Sequence, residues 1–186
     1  MQQSLAVAPS SAGVRRAAAV ALGAALVAVA AQIAVPLPGT PVPMTLQPLA
    51  VLLVGGLLGP RLGATSMVFY LALGAAGLPV FTPFGLPGIA RLIGPTGGYL
   101  LAYPVAAVAV GRIAGDARTW GRVALAVLVG LVLIHLGGAA QLLILTGSGA
   151  DALRLGTLPF IVGDLLKLVV AILILRPAVS PLRARL

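Results

Sequence analysis

Long apolar runs almost free of charge constrain this chain more than any other feature. They separate at proline, glycine and arginine punctuation into roughly 17–35, 47–59, 62–78, 95–114, 122–146 and 157–175. A helix needs about 20 apolar residues to cross the roughly 30 Å hydrocarbon core of a bilayer. The expected fold is therefore an all-α integral membrane protein with six transmembrane helices. The run 47–59 is short for a crossing, and the even count depends on it. It crosses only if it extends into the loop before it or lies partly inside the protein. The 186 residues are 60% hydrophobic and 8% charged, whereas soluble domains carry about a quarter charged residues.

The run from Ala17 to Val35 follows Arg15 and Arg16 and resembles a secretory leader in flank and composition. It is longer than a leader's apolar core, so it reads as an uncleaved first span. Orientation follows from the distribution of Lys and Arg, because cytoplasmic loops hold the excess. With the N-terminus inside, Arg15, Arg16, Arg61, Arg112, Arg118, Arg122, Arg176, Arg183 and Arg185 are cytoplasmic, and only Arg91 and Arg154 lie outside. If 47–59 did not cross, Arg112, Arg118 and Arg122 would move out, Arg91 and Arg154 would come in, and the asymmetry would largely vanish. Six crossings with both termini cytoplasmic thus support each other. The expected organisation is a flexible N-terminus at 1–14, a membrane domain at 15–176 and a basic tail at 177–186.

Two outer loops stand apart from the terse basic inner ones. Residues 36–48, "PLPGTPVPMTLQP", hold five prolines and no charge, a composition too stiff for a tether and unsuited to helix through most of its length. Residues 79–94, "PVFTPFGLPGIARLIG", again mix proline with apolar residues and contain Arg91. Either alone reads equally well as an interfacial hairpin; two on one face favour structured covers over a pocket.

Composition also narrows the chemistry. The chain carries 12 basic and 3 acidic residues, yet no basic stripe is interleaved with aromatics, so nucleic acid is not an expected partner. There is no cysteine and one histidine, which leaves no disulfide framework and little for a metal site.

Ionisable groups inside spans are expensive and mark functional sites by default. Asp164 and Lys167, in "GDLLK", are spaced i to i+3 on one face of the last run, leaning toward its outer end. Mutual neutralisation that pins helix packing is the alternative. His135 and Gln141 read as interhelical hydrogen-bonding residues. In "GPTGGYL", residues 94–100, Pro95 suits a first helical turn, and the amides of Thr96, Gly97 and Gly98 are expected to point outward as an anion or carbonyl site, with Arg91 alongside. An apolar outer pocket with one carboxylate, two cations and bare amides suits a small amphipathic molecule with N–H donors at one end and a carboxylate at the other.

The runs "VPLPGTPVPMTLQPLAVLLVGGLLGPRLGA", "GAAGLPVF", "GPTGGYLLAYPVAA" and "GDLLKLVVA", in this order, closely resemble the BioY family over about residues 15–176. Its members are the biotin-specific substrate components of energy-coupling factor (ECF) transporters. The resemblance implies a bacterial cytoplasmic-membrane protein that captures biotin on its outer face under the first and third loops. It also implies partners: a transmembrane coupling protein and two ATPases, which alone use ATP, so that this chain has no cofactor of its own. Carried over by position, Arg91, Asp164 and Lys167 are the polar binding residues, Thr96, Gly97, Gly98 and Tyr99 the pocket wall, and Pro43, Thr45 and Gln47 part of the cover. Asp164 would accept ureido N–H groups, and the cations or amides would meet the valerate carboxylate, with the division between cations open. Ala17, Ala21 and Ala25 would contact the coupling protein. Where the family often has glycines before the arginine, "FTPFGLPGIAR" departs, leaving the shape of the third loop open.

Two other classes compete. A stand-alone proton-coupled transporter of biotin or a similar small carboxylate would use Asp164 as carrier. An intramembrane enzyme would need an activated nucleophile, and Ser66 has no acid or histidine near it in sequence.

Overall fold

The computed structural model describes residues 11–185 and is helical nearly throughout. In chain order it runs α1 (Ser11–Gln32), a two-stranded hairpin of β1 (Ala34–Val35) and β2 (Met44–Thr45), α2 (Gln47–Ala75), α3 (Ala90–Ile93), α4 (Gly97–Ala114), α5 (Trp120–Thr146), α6 (Gly149–Gly156), a 3-10 turn (Leu158–Phe160) and α7 (Ile161–Arg183). Among the described residues five helical stretches are long and apolar enough to cross a membrane by length and composition. The helix begins at Ser11, inside the segment expected to be flexible; residues 1–10 lie outside the described residues. At the other end α7 continues through Pro177 and Pro181 to Arg183, so the tail is helical over most of its length.

The short second run is explained by α2. Gly59, with φ 81 and ψ 178, breaks the helix just before Pro60. The chain turns back there: the Gln47 side chain bonds the Tyr70 hydroxyl at 2.7 Å, a pair that a straight helix would hold over 30 Å apart. An ideal Cβ on Gly63 would stand 2.9 Å from the Gly55 Cα, so the limbs 47–58 and 60–75 pack almost backbone to backbone. Gly55 similarly meets Ala107 of α4, and Ser66 donates to the Val20 carbonyl of α1 at 3.0 Å. Small residues, not large apolar ones, bring these helices together, as is usual where lipid removes the hydrophobic incentive to associate.

Two apolar cores stack along the bundle. One, with Val27, Val51, Met67, Tyr70, Tyr103 and Ile134, surrounds the start of α4 and the second half of α5. The other, with Leu52, Val110, Val127, Leu131, Ala171 and Leu175, fills the opposite end. That opposite end is also where arginines gather. Arg183 donates to the carbonyls of Gly56, Gly111 and Gly115, tying α7 to the first limb of α2 and to the end of α4, where a cation suits the negative helix terminus. Arg122 donates to the Ile113 carbonyl, and Arg118 pairs with Asp116. The outward faces carry many exposed large apolar side chains, such as Leu22, Val105, Leu136, Ile144, Val162 and Leu166. Such a belt would be an aggregation hazard in water and belongs against lipid.

The turn at Gly59 generates a stability prediction. A Cβ on Gly111 would lie 2.5 Å from the Pro60 nitrogen, a backbone atom with no freedom to yield, whereas one on Gly121 meets nothing within 4 Å. Gly111→Ala is expected to cost about 1–3 kcal/mol by overpacking, seen as a melting temperature several degrees lower in detergent. Gly121→Ala should leave it unchanged.

Candidate functional site

The loop 36–48 cannot wander. Its strands pair antiparallel, Ala34 with Thr45 and Val35 with Met44, and the Thr40 hydroxyl donates to the Leu155 carbonyl of α6 at 2.6 Å. Pro48 stands in the first turn of α2 where its missing N–H costs nothing. The loop 79–94 is equally ordered. Phe81 packs edge-on against Tyr70 at 5.5 Å and lies across Gly74, where any side chain would displace it. Arg91 on α3 folds back into this loop: Nε donates to the Leu86 carbonyl at 2.9 Å, Nη1 to the Thr82 hydroxyl at 3.0 Å and Nη2 to the Thr82 carbonyl at 2.9 Å. Gly85, at φ 96, passes so close to Nη1 that a Cβ would stand 2.9 Å from it.

Beneath both loops lies a cavity with about 50 Å³ of free interior; the 560 Å³ between its walls includes space open to solvent. Val42, Pro43, Thr45 and Gln47 line it from the first loop, Phe81, Thr82 and Arg91 from the second, and Thr96, Tyr99 and Tyr103 from α4. Ile134 and His135 of α5, with Phe160, Asp164 and Lys167 from the last segment, complete it. Its wall is mainly apolar, and its charges are deeply set: Arg91, Asp164 and Lys167 are only 6%, 8% and 6% exposed.

Asp164 organises the floor. It sits in the first turn of α7, closer to the helix start than the run 157–175 suggested, because a 3-10 turn intervenes. Lys167 Nζ donates to Oδ1 at 2.9 Å, and His135 Nε2 lies 2.6 Å from Oδ2. With an ionised carboxylate as acceptor, Nε2 carries the proton. His135 Nδ1 is buried without a partner, and the imidazole stands edge-on to Tyr99 at 6.1 Å. His135 does bridge helices, as its sequence reading held, but it also faces the cavity; a lone histidine in an apolar run carries no signal that separates the two roles. Gln141 donates to the Ile93 carbonyl at 3.0 Å and ties α5 to α3.

Arg91 differs from Lys167. Its partners are neutral oxygens, and among the described residues no carboxylate lies within ion-pair range. Burial lowers its pKa from the ordinary arginine value, partly offset by the Tyr70 phenol, and it stays a cation at any physiological pH. Its charge is thus held in place yet unneutralised.

Of the three amides expected to point outward at the start of α4, one is engaged within the chain. The Gly97 N–H donates to the Gly94 carbonyl at 2.9 Å and is not bare. Neither Gly97 nor Gly98 reaches the cavity, while Thr96 and Tyr99 on either side do. A Cβ on Gly97 would strike the Leu92 carbonyl, and one on Gly98 the Gly137 carbonyl of α5. These glycines admit neighbouring backbone. Tyr99 spans the gap they create, lying over Gly138 and donating its hydroxyl to the Gly156 carbonyl of α6. Ala17, Ala21 and Ala25 lie on the exposed face of α1 and touch no part of the cavity. Ser66 is sealed against α1 with no acid or histidine at hand.

With this geometry in place the comparisons with known proteins are specific. Residues 1–184 match the model of the BioY family. The chain belongs to the BioY family. Among BioY relatives, a probable biotin transporter from Pyrococcus horikoshii is 45% identical over 155 residues, covering 83% of this chain and 90% of the relative. A biotin transporter from Thermotoga maritima is 39% identical over 150 residues, covering 81% and 87%. A crystal structure of the S-component for biotin from an ECF-type ABC transporter superposes with a TM-score of 0.82 at 28% identity, covering 92% of this chain and 94% of that one. These relatives are named as biotin transporters, and with its apolar helices this chain is an integral membrane protein.

The His135–Asp164 contact joins α5 to α7 through one hydrogen bond. Replacing His135 with Ala should lower the ligand-free stability by about 1–2 kcal/mol, the scale of interhelical hydrogen bonds in membranes, read as a lower melting temperature in detergent micelles.

Proposed function

We propose that this chain captures biotin at the outer face of a bacterial cytoplasmic membrane and serves as the substrate-binding component of an ATP-driven ECF transporter. The observation that carries the ligand is the arrangement of charge under the two loops: a carboxylate, Asp164, braced from two sides, and a second cation, Arg91, that no protein anion neutralises. Biotin's ureido N–H groups meet Asp164, its hydrocarbon and thioether parts lie along the apolar wall, and its carboxylate reaches a cation. Arg91 suits that carboxylate better than Lys167 does, because Lys167 is already paired with Asp164.

The limbs of α2 on either side of Gly59 count as two crossings, which gives six in all with both termini cytoplasmic. The cavity lies at the arginine-poor end of the bundle, and the α4–α5 turn with Arg118 and Arg122 lies at the other. By the excess of basic residues on cytoplasmic loops, the cavity faces out. The S-component of the superposed structure belongs to an ECF-type ABC transporter, which supports a coupling protein and ATPases as partners here. The exposed Ala17, Ala21 and Ala25 offer the coupling protein a smooth face. No cofactor is bound by this chain, and no reaction is catalysed.

Titration of labelled biotin against purified protein tests the reading. Asp164→Asn and Lys167→Ala are each expected to weaken binding at least about ten-fold, since each strips one partner from a buried charged group. Arg118→Ala, at the opposite end, should bind as wild type. Unchanged affinity in both cavity variants would remove biotin from this site, and loss at Arg118 would invert the topology.

A further inference from the structure

All three tyrosines of the chain stand in the core beside the cavity, and two have their hydroxyls committed. Tyr70 receives the Gln47 amide at 2.7 Å and donates to the Val80 carbonyl at 3.1 Å. Tyr99 donates to the Gly156 carbonyl. Tyr103 is different. It is 2% exposed and lines the cavity, yet its hydroxyl makes no hydrogen bond among the described residues. Nor is that oxygen among the side-chain atoms sealed from contact without a partner, which are His135 Nδ1, Thr157 Oγ1 and Arg176 Nε. It is therefore open to the cavity. Buried hydroxyls in folded proteins nearly always find a partner, so one left unpaired and open in a cavity wall points to a partner that is not protein.

The chemistry of the wall says which part of the ligand that is. The proposed head group is a cyclic urea, with two N–H donors and one strong carbonyl acceptor. Asp164 offers acceptors for the N–H groups; the His135 Nε2–H is given to that carboxylate, and Lys167 is drawn to it by charge and bonds it with one of its three N–H groups. Tyr103 lies on α4 one turn beyond Tyr99, whose ring faces His135, so its free donor is set on the same side of the cavity as Asp164. Arg91 is held in the loop 79–94 by its bonds to Thr82 and Leu86. We infer that Tyr103 donates its hydroxyl hydrogen to the ureido carbonyl oxygen of the ligand while Asp164 takes the N–H side. Tyr103 is then a ligand-contacting residue that reads the urea as a urea. This rests on biotin being the ligand.

Tyr103→Phe isolates the hydroxyl, because the ring that packs in the core is kept. Ligand-free melting should match wild type, since no protein bond is lost, whereas Tyr99→Phe should melt lower because it frees the Gly156 carbonyl. Affinity of Tyr103→Phe for biotin should fall roughly ten-fold or more, the consequence of leaving a buried carbonyl unpaired. Biotin labelled with ¹³C at the ureido carbon then reports directly: at saturating ligand, its infrared carbonyl band should shift upward in the variant relative to wild type. Unchanged affinity overturns the assignment. A weaker variant with an unmoved band also overturns it, because the hydroxyl then meets another part of the ligand. If wild-type protein fails to bind biotin at all, it is the proposed function that falls.

Discussion

A carboxylate buried in an apolar bundle has to be matched, and much of the cavity's form follows from how Asp164 is matched here. Lys167 supplies the opposite charge from one turn further along the same helix, and His135 supplies a second donor from a neighbouring helix. The first bond is local and would survive in an isolated helix; the second exists only when α5 and α7 are packed. Together they leave the carboxylate oriented and partly unsatisfied, since two oxygens have more acceptor capacity than two donors can use. An ion pair placed only to neutralise itself would have no reason to border a cavity. The same pair lying against lipid would face a heavier desolvation cost with no return in binding.

Close backbone approach is the second constraint, and glycine meets it in two distinct ways. At Gly59 a positive φ lets α2 reverse, so a run too short to look like a confident crossing becomes one limb of a tight hairpin. At Gly55, Gly63, Gly97, Gly98 and Gly111 the conformation is ordinary and what matters is the missing Cβ. Sequence alone does not distinguish these uses. "GPTGGYL" carries every mark of a helix start built to offer amides, and the packing shows its glycines filled by the carbonyls of Leu92 and Gly137 instead. The side chains that reach the cavity from that helix start are those flanking the glycines, Thr96 and Tyr99.

What was legible in the sequence was whatever depends on rarity. Asp164 and Lys167 stand out because charge in a span is costly, and Arg91 because it is alone between prolines; all three meet at one cavity. The proline-rich loops declare their stiffness by composition, and both are ordered over that cavity. What was not legible depends on which neighbour a common residue meets. Tyr103 sits among "LLAYPVAA" with nothing to separate it from a core tyrosine, and only the commitment of Tyr70 and Tyr99 to protein partners singles it out. His135 carried the right chemistry but no spacing to Asp164 that a one-dimensional reading could use, being 29 residues away.

The two ends of the bundle are built for different tasks, and this bears on how cargo would cross. Below the cavity the second core is close-packed: Leu52, Val110, Val127, Ala171 and Leu175 are fully buried, and Arg183 knits three backbone segments across the far end. The buried side chains named in that core are all apolar, so an anionic ligand moving along the axis would have to shed its partners and enter packed hydrocarbon. Interiors of this density are bistable and do not yield continuously. Under the proposed function, then, the protein does not conduct its ligand through its own middle. Either the bundle as a whole changes its placement in the bilayer, or the helices separate. A capture site that is complete at one end and sealed at the other is what a component driven by partners requires.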